Sequence, residues 1–327
     1  MGIMNLSEIM DKSIDVLKKY IKTIFLFTLG YGAICGIGSV VLIVVAAILG
    51  TVAYEFLYKS FVLPSIILGL LGSFLFAFLL TYNVGVIKIA SQDFLGDQVY
   101  ADEAIGASFK NIFKVFSIVL IVTIFFIPVI VVFGIGLYLI SKGLKYSIDS
   151  ITIAYGISSM RYVGLIIALL IIIIAVGIFW LYATFISFSL NAVVIEKKYG
   201  FSALKCSYRL IKNEFWKIIG CSILFTVTIL AVRVSLTGFI EAFLSIIYLI
   251  ANFFNMQINY TDFIISASRY IEVPMNILMW LIIYPLSTIM MCNMYFNQRY
   301  KKEGYDMILR LKKIQKNHER KKQVDGI

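Results

Sequence analysis

The chain has 327 residues, of which 61% are hydrophobic and 14% charged, with a formal net charge of +11. A water-soluble globular domain is about 45–50% apolar and about 25% charged, so this composition excludes one. Four cysteines without metal-ligand spacing (Cys35, Cys206, Cys221, Cys292) read as reduced structural residues, which excludes a disulfide scaffold.

The first 20 residues carry charges throughout and the apolar run after them is longer than a signal-peptide core, so no cleavable leader is expected. Six apolar runs follow, at roughly 24–53, 61–90, 115–140, 162–195, 216–240 and 271–296. Each is long enough to cross hydrocarbon, which takes roughly 20 helical residues. Backbone in lipid must satisfy its own hydrogen bonds, so the runs are expected to be helices. They do not alternate as barrel strands would. The first and fourth exceed the minimum, which implies tilt or a kink. Pro64, Pro274 and Pro285 fall near or inside even-numbered runs, where membrane helices tolerate proline. The short apolar segment Ala242 to Phe254 is read as an outer helical loop lying on or dipping into the outer leaflet, since a seventh span would move the basic tail outside.

Orientation follows from Lys and Arg near the span ends. With the N-terminus inside, all but six of the 29 (Lys59, Lys142, Lys145, Arg161, Arg233 and Arg269) lie on inner segments. Both termini are therefore expected in the cytosol, the chain crossing a bacterial cytoplasmic membrane about six times.

A threefold pattern is superimposed on this plan. Around Ser13, Ser108 and Ser207, apolar residues recur at matching offsets: Met10, Ile14, Leu17, Ile21; then Ile105, Phe109, Ile112, Phe116; then Leu204, Tyr208, Ile211, Phe215. The 4-3-4 spacing makes one helical stripe, and Lys12, Asp15, Lys18, Lys19, Lys110, Lys114, Lys205, Arg209 and Lys212 occupy the opposite faces. Ser7, Asp102 and Ser202 are the expected N-caps. The fold class implied is all-α integral membrane, with residues 1–300 as one membrane domain and 301–327 as a basic cytosolic tail. Its three tandem units, about 5–93, 101–197 and 201–300, each hold an interfacial amphipathic helix and two spans. Same-orientation units are related by an axis along the membrane normal; a pseudo-threefold bundle and side-by-side packing are both allowed. Mitochondrial carriers share a three-unit, six-span plan, but their Pro-x-Asp/Glu-x-x-Lys/Arg motif is missing here.

Asn83, Asn191 and Asn293 recur near the inner ends of the second spans. They mark either a polar vestibule or interhelical hydrogen bonds that pin the bundle. Arg233 and Glu241 read as interfacial, and Gly32 and Gly36 as a close-packing pair. Lys18, Lys19, Lys110, Lys114, Lys205, Arg209, Lys212, Lys301 and Lys302 are candidate contacts for anionic lipid, at about 1 kcal/mol per charge near the surface. The tail from Arg299 to Lys322 is basic with apolar interleaving, which suits a bilayer surface better than nucleic acid. The single histidine, His318, excludes a His-Glu-x-x-His zinc site and a Ser-His-Asp triad. There is no Walker loop, no Glu-Glu-x-x-x-Arg motif and no carboxylate deep in a span. Neither an enzyme nor a resident metal or cofactor is expected.

Two stretches carry a family likeness. One is Asn191-Ala-Val-Val-Ile-Glu196 followed by Ala203-Leu-Lys-Cys-Ser207-Tyr-Arg-Leu210 and Phe215-Trp216; the other is Tyr295, Arg299 and Lys302-Glu-Gly-Tyr-Asp306. Together they resemble the membrane domain of bacterial glycerophosphodiester phosphodiesterases and its stand-alone relatives. The resemblance implies interfacial helices rather than chemistry, because the enzyme's catalytic barrel needs paired histidines and metal-binding carboxylates that this chain does not carry. The expected role is a non-enzymatic membrane scaffold or accessory subunit engaging the bilayer and its anionic lipids. The alternatives are a transporter or permease subunit for a peptide or lipid-like substrate, served by a separate ATPase partner, and a membrane immunity or stress protein.

Overall fold

A computed structural model describes residues 5–56, 62–151, 158–254, 259–305, 307–308 and 311. The protein is an all-α multi-pass membrane protein: ten helices and no strand occur among the described residues. They are α1 (Leu6–Lys19), α2 (Ile21–Phe56), α3 (Val62–Ala90), α4 (Gln92–Leu95), α5 (Ala101–Lys110), α6 (Ile112–Ile151), α7 (Ser158–Ile195), α8 (Gly200–Ile211), α9 (Phe215–Phe253) and α10 (Tyr260–Glu303). By length and composition, five helical stretches can cross a membrane: Ile21–Val52, Pro64–Leu95, Leu169–Ile195, Phe215–Phe253 and Tyr260–Glu303. A sixth is added when α5 and Ile112–Pro128, bent by 49°, are taken together.

The six apolar runs are helical where described, and every helix but α3 outruns the apolar stretch that announces it. The longest extension at a single end is at α9, which continues without a break through Ala242 to Phe253. The expected outer helical loop is the last third of that helix. At 1.5 Å per residue, α9 and α10, with 39 and 44 residues, reach about 58 and 66 Å. That is about twice the hydrocarbon thickness of roughly 30 Å.

Three short helices precede three long hairpins. α1 runs into α2 through the single residue Tyr20, and α5 into α6 through Asn111, whose side-chain Nδ2 donates to the Ala107 carbonyl at 2.8 Å. The caps differ from the expected ones. α1 starts at Asn5, whose backbone N–H donates to Glu8 Oε2 at 2.9 Å; α5 starts after Tyr100. At α8 the N-cap is Tyr199, and Ser202 instead acts from inside the first turn, accepting the Tyr199 N–H at 3.3 Å. In α1 and α8 the N3 side chain thus accepts from the N-cap N–H, the reciprocal half of a capping box.

The short helices pack in rotation. α1 lies on α10, α5 on α3 and α8 on α7, while α3, α7 and α10 also touch one another at the centre. Ser13, Ser108 and Ser207, one on each short helix, are all 0% exposed. Ser13 and Ser108 donate to carbonyls four residues back (Ile9, 2.6 Å; Ala104, 3.1 Å), whereas Ser207 donates to Phe185 of α7 at 3.2 Å. A small hydroxyl that satisfies itself lets a helix approach another closely. Gly85 of α3 belongs to the same contact: a Cβ there would lie 2.1 Å from the Phe27 ring and 2.8 Å from Ser108 Oγ.

Burial is concentrated at this capped end. The largest fully buried side chains include Phe27, Tyr31, Phe188, Phe225, Tyr295 and Phe296, and Phe94 stacks on Phe296 with centroids 4.1 Å apart. Where this layer meets water, each such ring contributes about 1.5–3 kcal/mol through removal from solvent. Toward the other end the helices present Ile37, Val40, Val41, Ile172, Ile173, Leu230 and Val234 outward, as lipid-facing surfaces do. Of the Gly32 and Gly36 pair, Gly32 is pressed against Trp280 of α10, where a Cβ would lie 1.9 Å from the ring, and Gly36 has open space around it.

Candidate functional site

The capped end carries most of the polar chemistry. Asn83 Oδ1 accepts from Thr288 Oγ1 at 2.8 Å, joining α3 to α10. Asn293 Nδ2 donates to Ser13 Oγ at 2.7 Å, joining α10 to α1. Asn191 Nδ2 donates to the Ser187 carbonyl of its own helix at 2.9 Å. Asn191 and Asn293 are 0% exposed and, among the described residues, their Oδ1 atoms have no hydrogen-bond partner. Asn83 lines a cavity whose walls do not include Asn191 or Asn293.

That cavity, about 450 Å³, lies between α3, α7, α9 and α10. Its polar lining comprises Asn83, Trp180, Thr184, Ser187, Ser222, Thr226, Ser287 and Thr288. Trp180 Nε1 donates to Ser222 Oγ at 3.1 Å and so ties α7 to α9. Thr184 and Thr226 return their hydroxyls to carbonyls four residues back. Closer to the cap, a second opening of about 580 Å³ is lined by Phe185, Tyr208, Lys212, Asn213, Glu214, Phe215, Trp216 and Lys217.

The candidate lipid-contacting cations divide into two sets. One set works inside the fold. Lys19 reaches Asp93 at 2.9 Å, Arg209 pairs with Glu303, Lys301 pairs with Glu214, and Lys302 donates to the Leu210 carbonyl at 2.6 Å. The bond to Asp93 holds Lys19 above its ordinary pKa. The other set, Lys18, Lys110, Lys205 and Lys212, is exposed, and among the described residues none is within ion-pair distance of a carboxylate; Lys114 is half-buried and equally unpaired. Exposed Phe109, Phe113, Tyr199, Phe201, Tyr208 and Trp216 stand among these lysines. The basic tail from residue 312 onward, with His318, lies outside the described residues.

Glu196, just past α7, is a junction that the sequence does not advertise. It accepts from Tyr295 OH at 2.5 Å and Cys206 Sγ at 3.3 Å, and pairs with Lys198 at 2.5 Å and Arg299 at 3.5 Å. Burial pushes its pKa up, but the bonds from Lys198 and Tyr295 and the Arg299 charge outweigh this and hold it below the ordinary value. Arg299 also bonds Glu303 at 2.8 Å and stacks 3.6 Å over the Tyr305 ring. This network ties α7, α8 and the end of α10 together without leaving a reactive group exposed. Burial, reinforced by Glu196, raises the Cys206 thiol above its ordinary pKa, the opposite of an activated nucleophile. Among the described residues no group of three or more His, Cys, Asp or Glu is placed to hold a metal ion.

Sequence reasoning locates the lysines and the asparagines. It does not find the cavity, whose signal is a Ser222-x-x-x-Thr226 pair inside an apolar run, nor the Lys212–Lys217 groove, which exists only once α8 turns into α9. No protein-family model, curated protein or solved structure matches this chain.

Proposed function

We propose that this chain is a non-enzymatic, multi-pass scaffold or accessory subunit of a bacterial cytoplasmic membrane, and that its capped end faces the cytosol and engages anionic lipid. One observation carries the proposal: the short helices keep Lys18, Lys110, Lys205 and Lys212 exposed beside outward-facing aromatics, while neighbouring cations are consumed by internal pairs. Lysines reaching phosphates beside aromatic rings at headgroup depth are how interfacial helices hold a bilayer. The rotational packing of α1, α5 and α8 supports the three-unit reading, with α3, α7 and α10 as the inner ring. The apolar stripes serve two neighbours: Ile9, Val16 and Leu17 are buried on the spans, while Ile14, Phe109 and Tyr208 remain outward for lipid.

The test is lipid enrichment around the purified protein in mixed anionic and zwitterionic nanodiscs. Replacing Lys18, Lys110 and Lys205 together by Gln should remove most of the anionic excess, at about 1 kcal/mol per charge. Equal enrichment in the triple variant sinks the proposal. Arg209 is a poor probe because it pairs with Glu303.

A second reading, a transporter or permease subunit for a lipid-like substrate, rests on the cavity beside Asn83. A largely apolar chamber with a few polar groups at membrane depth suits a lipid-like substrate. Co-purification of a stoichiometric ATPase from the native host would favour it.

A further inference from the structure

We infer that the seam between α7 and α9 binds a single phospholipid of the capped-end leaflet, its phosphate against Lys212 and Lys217 and its ester and upper chain region in the cavity beside Asn83; this rests on the lipid-engaging reading above. The groove supplies the headgroup half. Lys212 and Lys217 are both exposed at its rim, with Tyr208 and the 82% exposed Trp216 beside them. The carboxylate in the same groove, Glu214, does not oppose an anion there, because it is turned to Lys301 and to Gln298 Nε2 at 3.1 Å. Two ammonium groups and an indole at one level suit a phosphate at the bilayer surface.

The cavity supplies the other half. Phe215, Ser222 and Thr226 follow one another on one stripe of α9, at spacings of seven and four residues. From Trp216, the climb to Ser222 and Thr226 is about 9 to 15 Å, the interval in which ester groups and first methylenes follow a phosphate. The exposed members of the lining there, Ala183 and Phe179 of α7 and Thr226 of α9, place an opening on the same seam. Inside, Asn83 spends its oxygen on Thr288, which leaves its amide N–H groups without an acceptor among the described residues. Ester carbonyls carry acceptors and no donors, so they complement that wall.

The experiment is native mass spectrometry of the full chain in mild detergent, titrated with phosphatidylglycerol and with phosphatidylcholine. One tightly retained phosphatidylglycerol per chain is expected. Lys212→Gln with Lys217→Gln should weaken it about 30-fold, from two charges at about 1 kcal/mol each. Ala183→Phe, at the exposed mouth, should exclude both lipids with helix content and melting temperature retained. Thr226→Phe repeats the block from the opposite wall. Wild-type retention in the lysine pair and in both blocking variants overturns the inference, as does equal competition by soluble glycerol phosphate. If the Lys18/Lys110/Lys205 variant loses anionic enrichment while the seam variants keep the single lipid, the seam falls and the broader reading stands. The reverse result removes the broader reading and leaves the seam.

Discussion

Asn293 and Ser13 meet through a 2.7 Å hydrogen bond although 280 residues separate them in the chain. Both are fully buried, and the Ser13 hydroxyl in turn donates a hydrogen bond to the Ile9 carbonyl. Ser13→Ala strands the Asn293 amide and should destabilise the protein by about 1–3 kcal/mol. Replacing both residues with apolar ones of similar shape should cost less than the sum of the singles. A double-mutant cycle on the melting temperature in detergent measures this, and additivity would show that the bond is not coupled.

Gly85 should tolerate no larger side chain. Gly85→Ala puts a methyl group 2.1 Å from the Phe27 ring, and overpacking of that kind costs about 1–3 kcal/mol. Phe27→Leu, added to Gly85→Ala, should recover part of the loss. A lack of recovery would point away from this contact and toward Ser108.

Acid should loosen the α7–α8–α10 junction. The folded pKa of Glu196 lies below its ordinary value of 4.5, so the charged form is the one the fold favours. Its contribution is present above that ordinary value and is lost as the pH falls through the lower, folded one. Unfolding midpoints measured from pH 7 down to pH 3.5 should drop more steeply for the wild type than for Glu196→Gln. Parallel curves would remove Glu196 from the explanation.

Arg299 and Arg209 share Glu303 but should differ sharply on replacement. Arg299 is 8% exposed and also serves Glu196 and Tyr305, so Arg299→Ala leaves buried partners unpaired, at about 3 kcal/mol. The side chain of Arg209 is 65% exposed, and its pair with Glu303 is screened, so Arg209→Ala should cost less than about 1 kcal/mol. Chemical denaturation of both variants in the same detergent ranks them.

The long helices were legible because a run of apolar residues states its own environment. Ser13, Ser108 and Ser207 were legible as a set because the helical stripe around each repeats. The stripe's aim was less so: the buried residues are Ile9, Ser13, Val16 and Leu17, so of the Met10–Ile14–Leu17 line that periodicity suggests only Leu17 is buried and Ile14 is exposed. Helical ends were harder, since Ala242 to Phe253 is too short to announce a span yet continues one whose residues come first. The Glu196 junction depends on Tyr295, 99 residues away, and the Lys212–Lys217 groove on the turn from α8 into α9 beside Phe185; local spacing holds no record of either.

The α1–α10 contact also sets an order of assembly in time. α1 emerges from the ribosome long before its seat on α10. At about 5–20 residues per second, α1 waits roughly 15–55 s for Asn293. Throughout that interval Val16 and Leu17 have only the early part of their cluster, Ile24, Phe27 and Phe94, to rest on, Ile9 still lacks Met290 and Met294, and the bilayer surface is the nearest other apolar phase. Protease protection of α1 in ribosome-arrested chains ending before α10 would measure the wait directly. Protection only with membranes present is the expected result, and cleavage despite them would mean that the first helix stays in water until the last span arrives.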